Sequence, residues 1–405
     1  MRQTIRVGVG GFLALQAVTI AAVVGTRAYR KRRSQSQGFP HSDLPDMLVG
    51  ENRLHVYSYG RDLYDAMLAA IDRAEESIYL ETFIWKDDAV GREFKERLAR
   101  KARQGVGVYV IFDSFANLVV PPHFKRFPPE VHALGYQAIR RPWHLLDPRH
   151  YALDHRKLLV VDGRIGFIGG YNIGQLYATE WRDTHLSVEG PFAAELAQVF
   201  ANFWNAYPVA RPRDRIARHY PREFDPRVLD RVNNALHLTF PIRDMYISAI
   251  DRAEQRVLLT NAYFIPDRVM RRSLIAAVQR GVEVTVLLPW ISNHTLADWL
   301  ARGHFTPLLR AGVRIFGYRA MIHAKTCTID GQWTTIGTAN IDRLSQVGNY
   351  EVNVEIYSRE LAAQMEHLFM LDRSNASALD LARWEARPWR AKLGERILAP
   401  LRVLL

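Results

Sequence analysis

The sequence predicts an α/β protein built as two duplicated lobes with mostly parallel sheets packed together, preceded by one N-terminal transmembrane helix. Residues 70–80 (AIDRAEESIYL) return at 249–259 as AIDRAEQRVLL, and residues 103–113 (RQGVGVYVIFD) return at 279–289 as QRGVEVTVLLP. Each segment carries a helix end into an apolar, β-prone run, the strand–helix–strand order of an α/β lobe. A set of five polar residues is also repeated. His155, Lys157, Asp162, Asn172 and Asp183 lie at relative positions 0, +2, +7, +17 and +28, and His323, Lys325, Asp330, Asn340 and Glu351 lie at the same offsets.

Taken in order, Val7 to Thr26 is a run without a single charge. At about 1.5 Å per residue it is long enough for a hydrocarbon core of about 30 Å. Arg27, Arg30, Lys31, Arg32 and Arg33 follow it, against Arg2 and Arg6 before it. The positive-inside rule then places the body on the cytoplasmic side of the cell membrane, held by a single pass. The rival, a cleaved signal peptide, is disfavoured by the dense basic cluster after the run. Residues 1–33 are thus expected to be the anchor, and the polar, turn-rich residues 34–48 a tether. The first lobe is expected over 49–205, a Pro- and Arg-rich connector over 206–232 and the second lobe over 233–375. The last segment, 376–405, interleaves Trp384, Trp389, Leu393, Ile397, Leu398 and Leu401 with Arg387, Arg390, Lys392 and Arg396, a composition suited to a lipid headgroup region. The basic-aromatic stretch 139–153, just before His155, is expected to shape a lipid entrance.

Bulk composition narrows the partners. The chain of 405 residues is 48% hydrophobic and 24% charged, which is globular rather than disordered. Its net charge of +12 asks for an anionic partner, nucleic acid or an acidic membrane surface. Cys327 is the one cysteine, so no internal disulfide and no cysteine-based zinc site can form, and it reads as a small core residue.

The repeated residues point to phosphoryl-type chemistry. Lys157-Leu-Leu-Val-Val161 and Ile165-Gly-Phe-Ile168 flank Asp162-Gly163, and Lys325 to Ile329 and Trp333 to Ile336 flank Asp330-Gly331. Asp-Gly between β-prone runs predicts a hairpin. His155 and Lys157, two apart on a strand, share a face, as do His323 and Lys325. A lysine beside each histidine suits neutralisation of a phosphate and repels a divalent cation, so no metal and no other cofactor is expected. Lys157 and Lys325 would clamp phosphate oxygens, with Asn172 and Asn340 adding amide donors. Asp183 and Glu351, each at the last offset of its set, are expected to orient the imidazoles through Nδ1–H. Asp162 and Asp330 sit in the hairpin turns and on position read as structural supports.

HRKLLVVD (155–162) and HAKTCTID (323–330) resemble the duplicated His-x-Lys-x4-Asp motif of the phospholipase D superfamily. GGYNIG (169–174), WRDTHLSVEGP (181–191) and GTANIDRLS (337–345) are similar to the bacterial cardiolipin synthase family within it. One feature departs from that family: its bacterial members usually have two N-terminal spans, and this sequence has room for one. The resemblance, over about residues 50–405, implies a pair of phospholipase D-like lobes and counts His155, Lys157, Asp162, His323, Lys325 and Asp330 as catalytic. It implies a phosphatidyltransferase acting on phosphatidylglycerol and other anionic phospholipids at a membrane, with His155 as nucleophile, His323 as acid and base, and no nucleic acid as partner. The alternatives left by the residues are a phospholipase D-type hydrolase, a nuclease of the superfamily and a non-catalytic anionic-lipid-binding protein.

Overall fold

A computed structural model describes residues 38–207, 215–217, 220 and 224–403 of the chain. Among them no helix is long and apolar enough to cross a membrane. The run Val7–Thr26 and its basic flank lie outside the described residues.

The first lobe contributes β1 (Met47–Val49), β2 (Asn52–Tyr57), β3 (Ser77–Thr82), β4 (Gly107–Asp113), β5 (Val131–Tyr136), β6 (Leu158–Val161), β7 (Ile165–Gly169), β8 (Trp181–Arg182) and β9 (His185–Glu189). The second contributes β10 (Val228–Asn233), β11 (Arg256–Asn261), β12 (Glu283–Pro289), β13 (Arg314–Tyr318), β14 (Met321–Ile322), β15 (Lys325–Ile329), β16 (Trp333–Gly337), β17 (Glu351–Tyr357) and β18 (Ala376–Ala378). Two eight-stranded sheets result, ordered β1-β2-β9-β7-β6-β3-β4-β5 and β10-β17-β16-β15-β11-β12-β13-β18.

The expectation of mostly parallel sheets is corrected. In each sheet only two adjacent pairings are parallel, β3–β4–β5 in one and β11–β12–β13 in the other, and all others are antiparallel. The crossover helices Ala89–Arg103 and Arg268–Gln279 set β3 parallel to β4 and β11 parallel to β12, each helix stopping at a glycine with positive φ, Gly105 and Gly281. The Asp-Gly hairpins give the antiparallel part. Asp162 and Gly163 have φ of 54° and 66°, and Asp330 and Gly331 have 52° and 65°, as a type I′ turn demands.

The central strands β3, β6, β15 and β16 are buried on both faces, which explains their largely apolar runs. Leu158 and Val160 of β6 point into a core that includes Ile336, Val352 and Val354 of the other lobe, whereas Leu159 and Val161 face the outer helices of their own lobe. Helices Pro191–Ala206 and Arg359–Ser374 fill that shared core through Leu196, Phe200, Leu361 and Met365. The two lobes are thus joined by one hydrophobic core.

The first strand begins at Met47, inside the stretch read as a tether, and β10 begins at Val228, inside the stretch read as a connector. The C-terminal segment adds β18 to the second sheet, and Trp384 and Leu398 are buried in the second lobe's core. Trp389 and Leu393 of the same segment remain exposed.

Asp162 and Asp330 hold the ends of the sheets together. Asp162 accepts the backbone N–H groups of Glu75, Glu76 and Ser77 at 2.9, 2.8 and 2.7 Å. Asp330 accepts those of Glu254, Gln255 and Arg256, each at 2.8 Å. These are the twin AIDRAE segments of the sequence, so one repeated motif binds the other. Replacing Asp162 by alanine strips three donors of a charged acceptor and leaves a residue ill-suited to positive φ. We expect a loss of about 2–3 kcal/mol in urea unfolding, and the same direction for Asp330→Ala. Melting at wild-type stability would show that neither aspartate supports the turn.

Candidate active site

The histidines are placed by backbone pairing between lobes. Asp154 bridges Tyr350, and the His155 N–H donates to the Tyr350 carbonyl at 3.0 Å. In the other direction β14 pairs with β8, Ile322 beside Arg182, and the His323 N–H donates to the Arg182 carbonyl at 2.7 Å. Each histidine therefore follows a residue paired with the one before the other lobe's carboxylate. The outcome is a crossed arrangement. His155 Nδ1 lies 3.0 Å from both Glu351 carboxylate oxygens, and His323 Nδ1 lies 2.6 Å from Asp183 Oδ2. The carboxylate that closes each repeated set thus serves the histidine of the opposite repeat.

The two carboxylates are held differently. Thr338 Oγ1 donates to Glu351 Oε2 at 2.6 Å. The matching position in the first lobe is Gly170, where an added Cβ would lie 2.1 Å from Asp183 Oδ1. The shorter aspartate reaches across because glycine leaves room, and the Thr184 N–H supports it at 2.7 Å. Asymmetry of side-chain length is matched by asymmetry of support.

Lys157 Nζ donates to its own repeat's His155 carbonyl at 2.5 Å, and Lys325 Nζ does the same to the His323 carbonyl. These bonds fold each ammonium back beside its histidine. Asn172 Oδ1 accepts the Ile84 N–H at 3.0 Å, which leaves the amide NH2 as its donor. The Asn340 carbonyl accepts from Gln346 Nε2 at 2.8 Å, and its Oδ1 is buried without a partner among the described residues. Asp162 and Asp330 stand apart from this group: each closes the far end of a strand whose near end is preceded by or carries the lysine, about 3.3 Å per residue away. Their carboxylate oxygens are engaged by the backbone N–H groups of residues 75–77 and 254–256.

Burial governs the charges. The side chains of His155, Lys157, Asp183, His323, Lys325 and Glu351 are all buried. Burial, then Lys325, pushes His323 down to about 3 against the pull of Asp183. Burial, then Lys157 and Lys325, drives His155 well below the ordinary imidazole range. Burial lowers Lys157 to about 7 and Lys325 to about 8. Burial acts to raise Asp183, but Lys325 and His323 outweigh it and hold it at about 2; burial raises Glu351 to about 8 despite Lys157. Each lobe's lysine acts on the other lobe's groups, which marks one shared site. Four groups able to carry positive charge share this buried site with two carboxylates, and a bound phosphodiester would favour their charged forms.

Sequence reasoning missed the walls of the site. The Phe83 ring stands edge-on to His155 at 4.7 Å, and Trp181 and Tyr263 pack on His323 at 5.2 and 6.1 Å. Thr338 was also missed, although the repeat marks it: it stands where the first half has Gly170.

The imidazole depressions have a sign that can be tested. In the unfolded chain a histidine takes a proton below about 6.5, whereas folded His323 stays neutral down to about 3. Its contribution to stability is therefore present above pH 6.5 and lost progressively as pH falls toward 3. Urea unfolding of His323→Gln should show a shallower loss between pH 6.5 and 4.5 than the wild type. Parallel curves would contradict a buried neutral His323.

The family model described as "Cardiolipin synthase, PLD-like domain" matches residues 67–204 and 246–373. The chain is 30% identical over 372 residues to a cardiolipin synthase of Clostridium perfringens, covering 86% of this chain and 77% of that protein. It is 32% identical over 341 residues to cardiolipin synthase A of Pseudomonas putida, covering 81% and 69%. A crystal structure of phosphatidylserine synthase from Haemophilus influenzae shares the fold, with a TM-score of 0.67 at 14% identity over 93% of this chain and 98% of that one. Two matched segments, one in each lobe and each containing one histidine–lysine set, show that the chain belongs to the cardiolipin synthase family of phospholipase D-like proteins.

Proposed function

We infer that this chain is a cardiolipin synthase, a phosphatidyltransferase that moves a phosphatidyl group from one phosphatidylglycerol to another and releases glycerol. The observation that carries the reading is the shared site, in which two histidines, each held at Nδ1 by a carboxylate of the other lobe, stand among two buried lysines. The named relatives support the substrate class.

In the first step a lone pair on Nε2 of His155 forms a bond to phosphorus, and the bond from phosphorus to the glycerol oxygen breaks. His323 gives its proton to that oxygen, and glycerol leaves. In the second step His323 takes the proton from a hydroxyl of another phosphatidylglycerol. That oxygen bonds to phosphorus, the His155–phosphorus bond breaks, and cardiolipin is formed. Lys157 and Lys325, with the amides of Asn172 and Asn340, hold the non-bridging oxygens as charge grows on them. The assignment of roles has physical support in the carboxylates. Asp183 keeps its full charge and would favour an imidazolium formed at His323 during turnover, whereas Glu351 is reluctant to ionise beside His155. His323 is uncharged in the free site, so the phosphodiester anion is what allows it to hold the proton it later donates. We further place the body on the cytoplasmic face of the cell membrane, held by a single pass over Val7–Thr26, on the charge asymmetry around that run.

Purified protein given phosphatidylglycerol alone should yield cardiolipin and glycerol in equal amounts, and a chelator should leave the rate unchanged. His155→Ala and His323→Ala should each reduce turnover to below a few per cent. Asp183→Asn should slow the reaction on the order of a hundredfold, by analogy with other tautomer-fixing carboxylates, and Asp162→Asn much less. Phosphatidic acid as the main product would replace the transferase reading by a hydrolase. Nucleic-acid cleavage without lipid turnover would replace it by a nuclease. Substantial activity in either histidine variant would defeat the two-histidine mechanism.

A further inference from the structure

The C-terminal ends of the parallel strands in both lobes run up to the histidines. β3 leads into Phe83, whose ring lies against His155. β4 ends at Asp113, whose Oδ2 accepts the Asp154 N–H at 3.0 Å, and β5 ends at Tyr136, whose hydroxyl donates to the Ala152 carbonyl at 2.9 Å. In the second lobe β11 leads toward Tyr263, which packs on His323, and its parallel neighbour β12 ends at Pro289. The loops that continue from β4, β5 and β12, residues 114–130, 137–153 and 290–294, therefore rim the catalytic edge from both lobes.

These loops expose large apolar side chains. Leu118 and Val119 are 68% and 83% exposed, Trp143 and Leu146 61% and 88%, and Trp290 and Ile291 45% and 54%. Scattered exposed leucines need no explanation, but apolar tips on three loops around one site do. The loops are also basic, carrying Lys125, Arg126, Arg140, Arg141 and Arg149 against Glu130 and Asp147. The Arg141 guanidinium stands 5.2 Å above the Trp143 ring. An aromatic ring beside an arginine matches the layering of a bilayer interface, with rings at the acyl boundary and cations at the phosphates.

We propose that this rim seats the catalytic edge directly on an anionic lipid bilayer. The apolar tips enter the headgroup region, the arginines meet lipid phosphates, and the site opens toward the leaflet that holds its substrate. The proposal rests on the transferase reading, since it concerns how the same site meets its lipid. Charge complementarity selects an anionic surface over a neutral one, and the position of the tips selects a surface that can also deliver substrate. A protein bound across this rim would cover the histidines.

The test uses the full chain. Cys327 is fully buried, so a single cysteine added at Leu118→Cys, Leu146→Cys or Ile291→Cys carries a polarity-sensitive fluorophore, with Gln104→Cys beyond the opposite ends of the strands as control. On vesicles containing phosphatidylglycerol, the three rim probes should shift to shorter wavelength and be quenched by a bilayer-buried quencher, and the Gln104 probe should not. Rim probes that stay water-like on vesicle-bound protein would overturn the proposal. An equal response on purely neutral vesicles would overturn its anionic part. A second variant, Leu118→Ser with Leu146→Ser, should lower turnover on vesicles at least tenfold and leave turnover of monomeric short-chain phosphatidylglycerol within twofold. Equal losses on both substrates would also count against it. The probe signal needs no turnover, so an active transferase with a dry rim fails only the docking proposal. Inserted rim probes without cardiolipin formation fail only the transferase reading.

Discussion

Each half of this protein brings a histidine that it cannot orient by itself. The carboxylate that fixes His155 belongs to the second lobe and the one that fixes His323 belongs to the first. That exchange dictates much else. It requires the lobes to meet in register, which the bridges Asp154–Tyr350 and Ile322–Arg182 provide. It also requires the interface to be rigid, and a hydrophobic core shared by Leu158, Val160, Ile336, Val352 and Val354 supplies that. Buried Arg182, next to Asp183 in the chain and paired with Asp372 of the second lobe at 2.8 Å, adds a second polar tie between the lobes.

Duplication gives near-symmetry, and function needs asymmetry. The departures lie where the two carboxylates sit: aspartate against glutamate, Gly170 against Thr338. A short carboxylate reaching across a glycine is held charged by Lys325 and His323, whereas burial outweighs Lys157 at the longer one, which resists charge beside the other imidazole. In the proposed mechanism that difference suits the Asp183 pair to hold an imidazolium and the Glu351 pair to remain neutral. Such division of labour follows from environment, because the titrating groups are otherwise alike.

The sequence made the duplication, the hairpins and the ten polar residues legible, because local spacing encodes them. A His-x-Lys strand ending in Asp-Gly has one reasonable local geometry. The crossing was not legible. Asp183 and Glu351 both stand at the same offset from a histidine, so spacing alone pairs each with its own repeat, and the true partners are 140 and 196 residues apart. Sheet direction escaped for a related reason: apolar runs buried on both faces look alike in parallel and antiparallel settings, and the crossover helices suggested more parallel pairing than the hairpins allow. The aromatic walls Phe83 and Tyr263 follow strands with no periodic mark. Position in the turns anticipated the backbone hydrogen bonds that Asp162 and Asp330 accept.

The crossed pairing can be read at the histidines themselves. Nitrogen NMR of the ¹⁵N-histidine-labelled protein resolves the Nδ1–H resonance of each catalytic imidazole, and a strong bond to a carboxylate moves that proton far downfield. Asp183→Asn should move the His323 Nδ1–H signal upfield and leave that of His155 nearly unchanged, and Glu351→Gln should do the reverse. If Asp183→Asn instead moved His155 alone, each repeat would orient its own histidine, and the shared-site account would be contradicted.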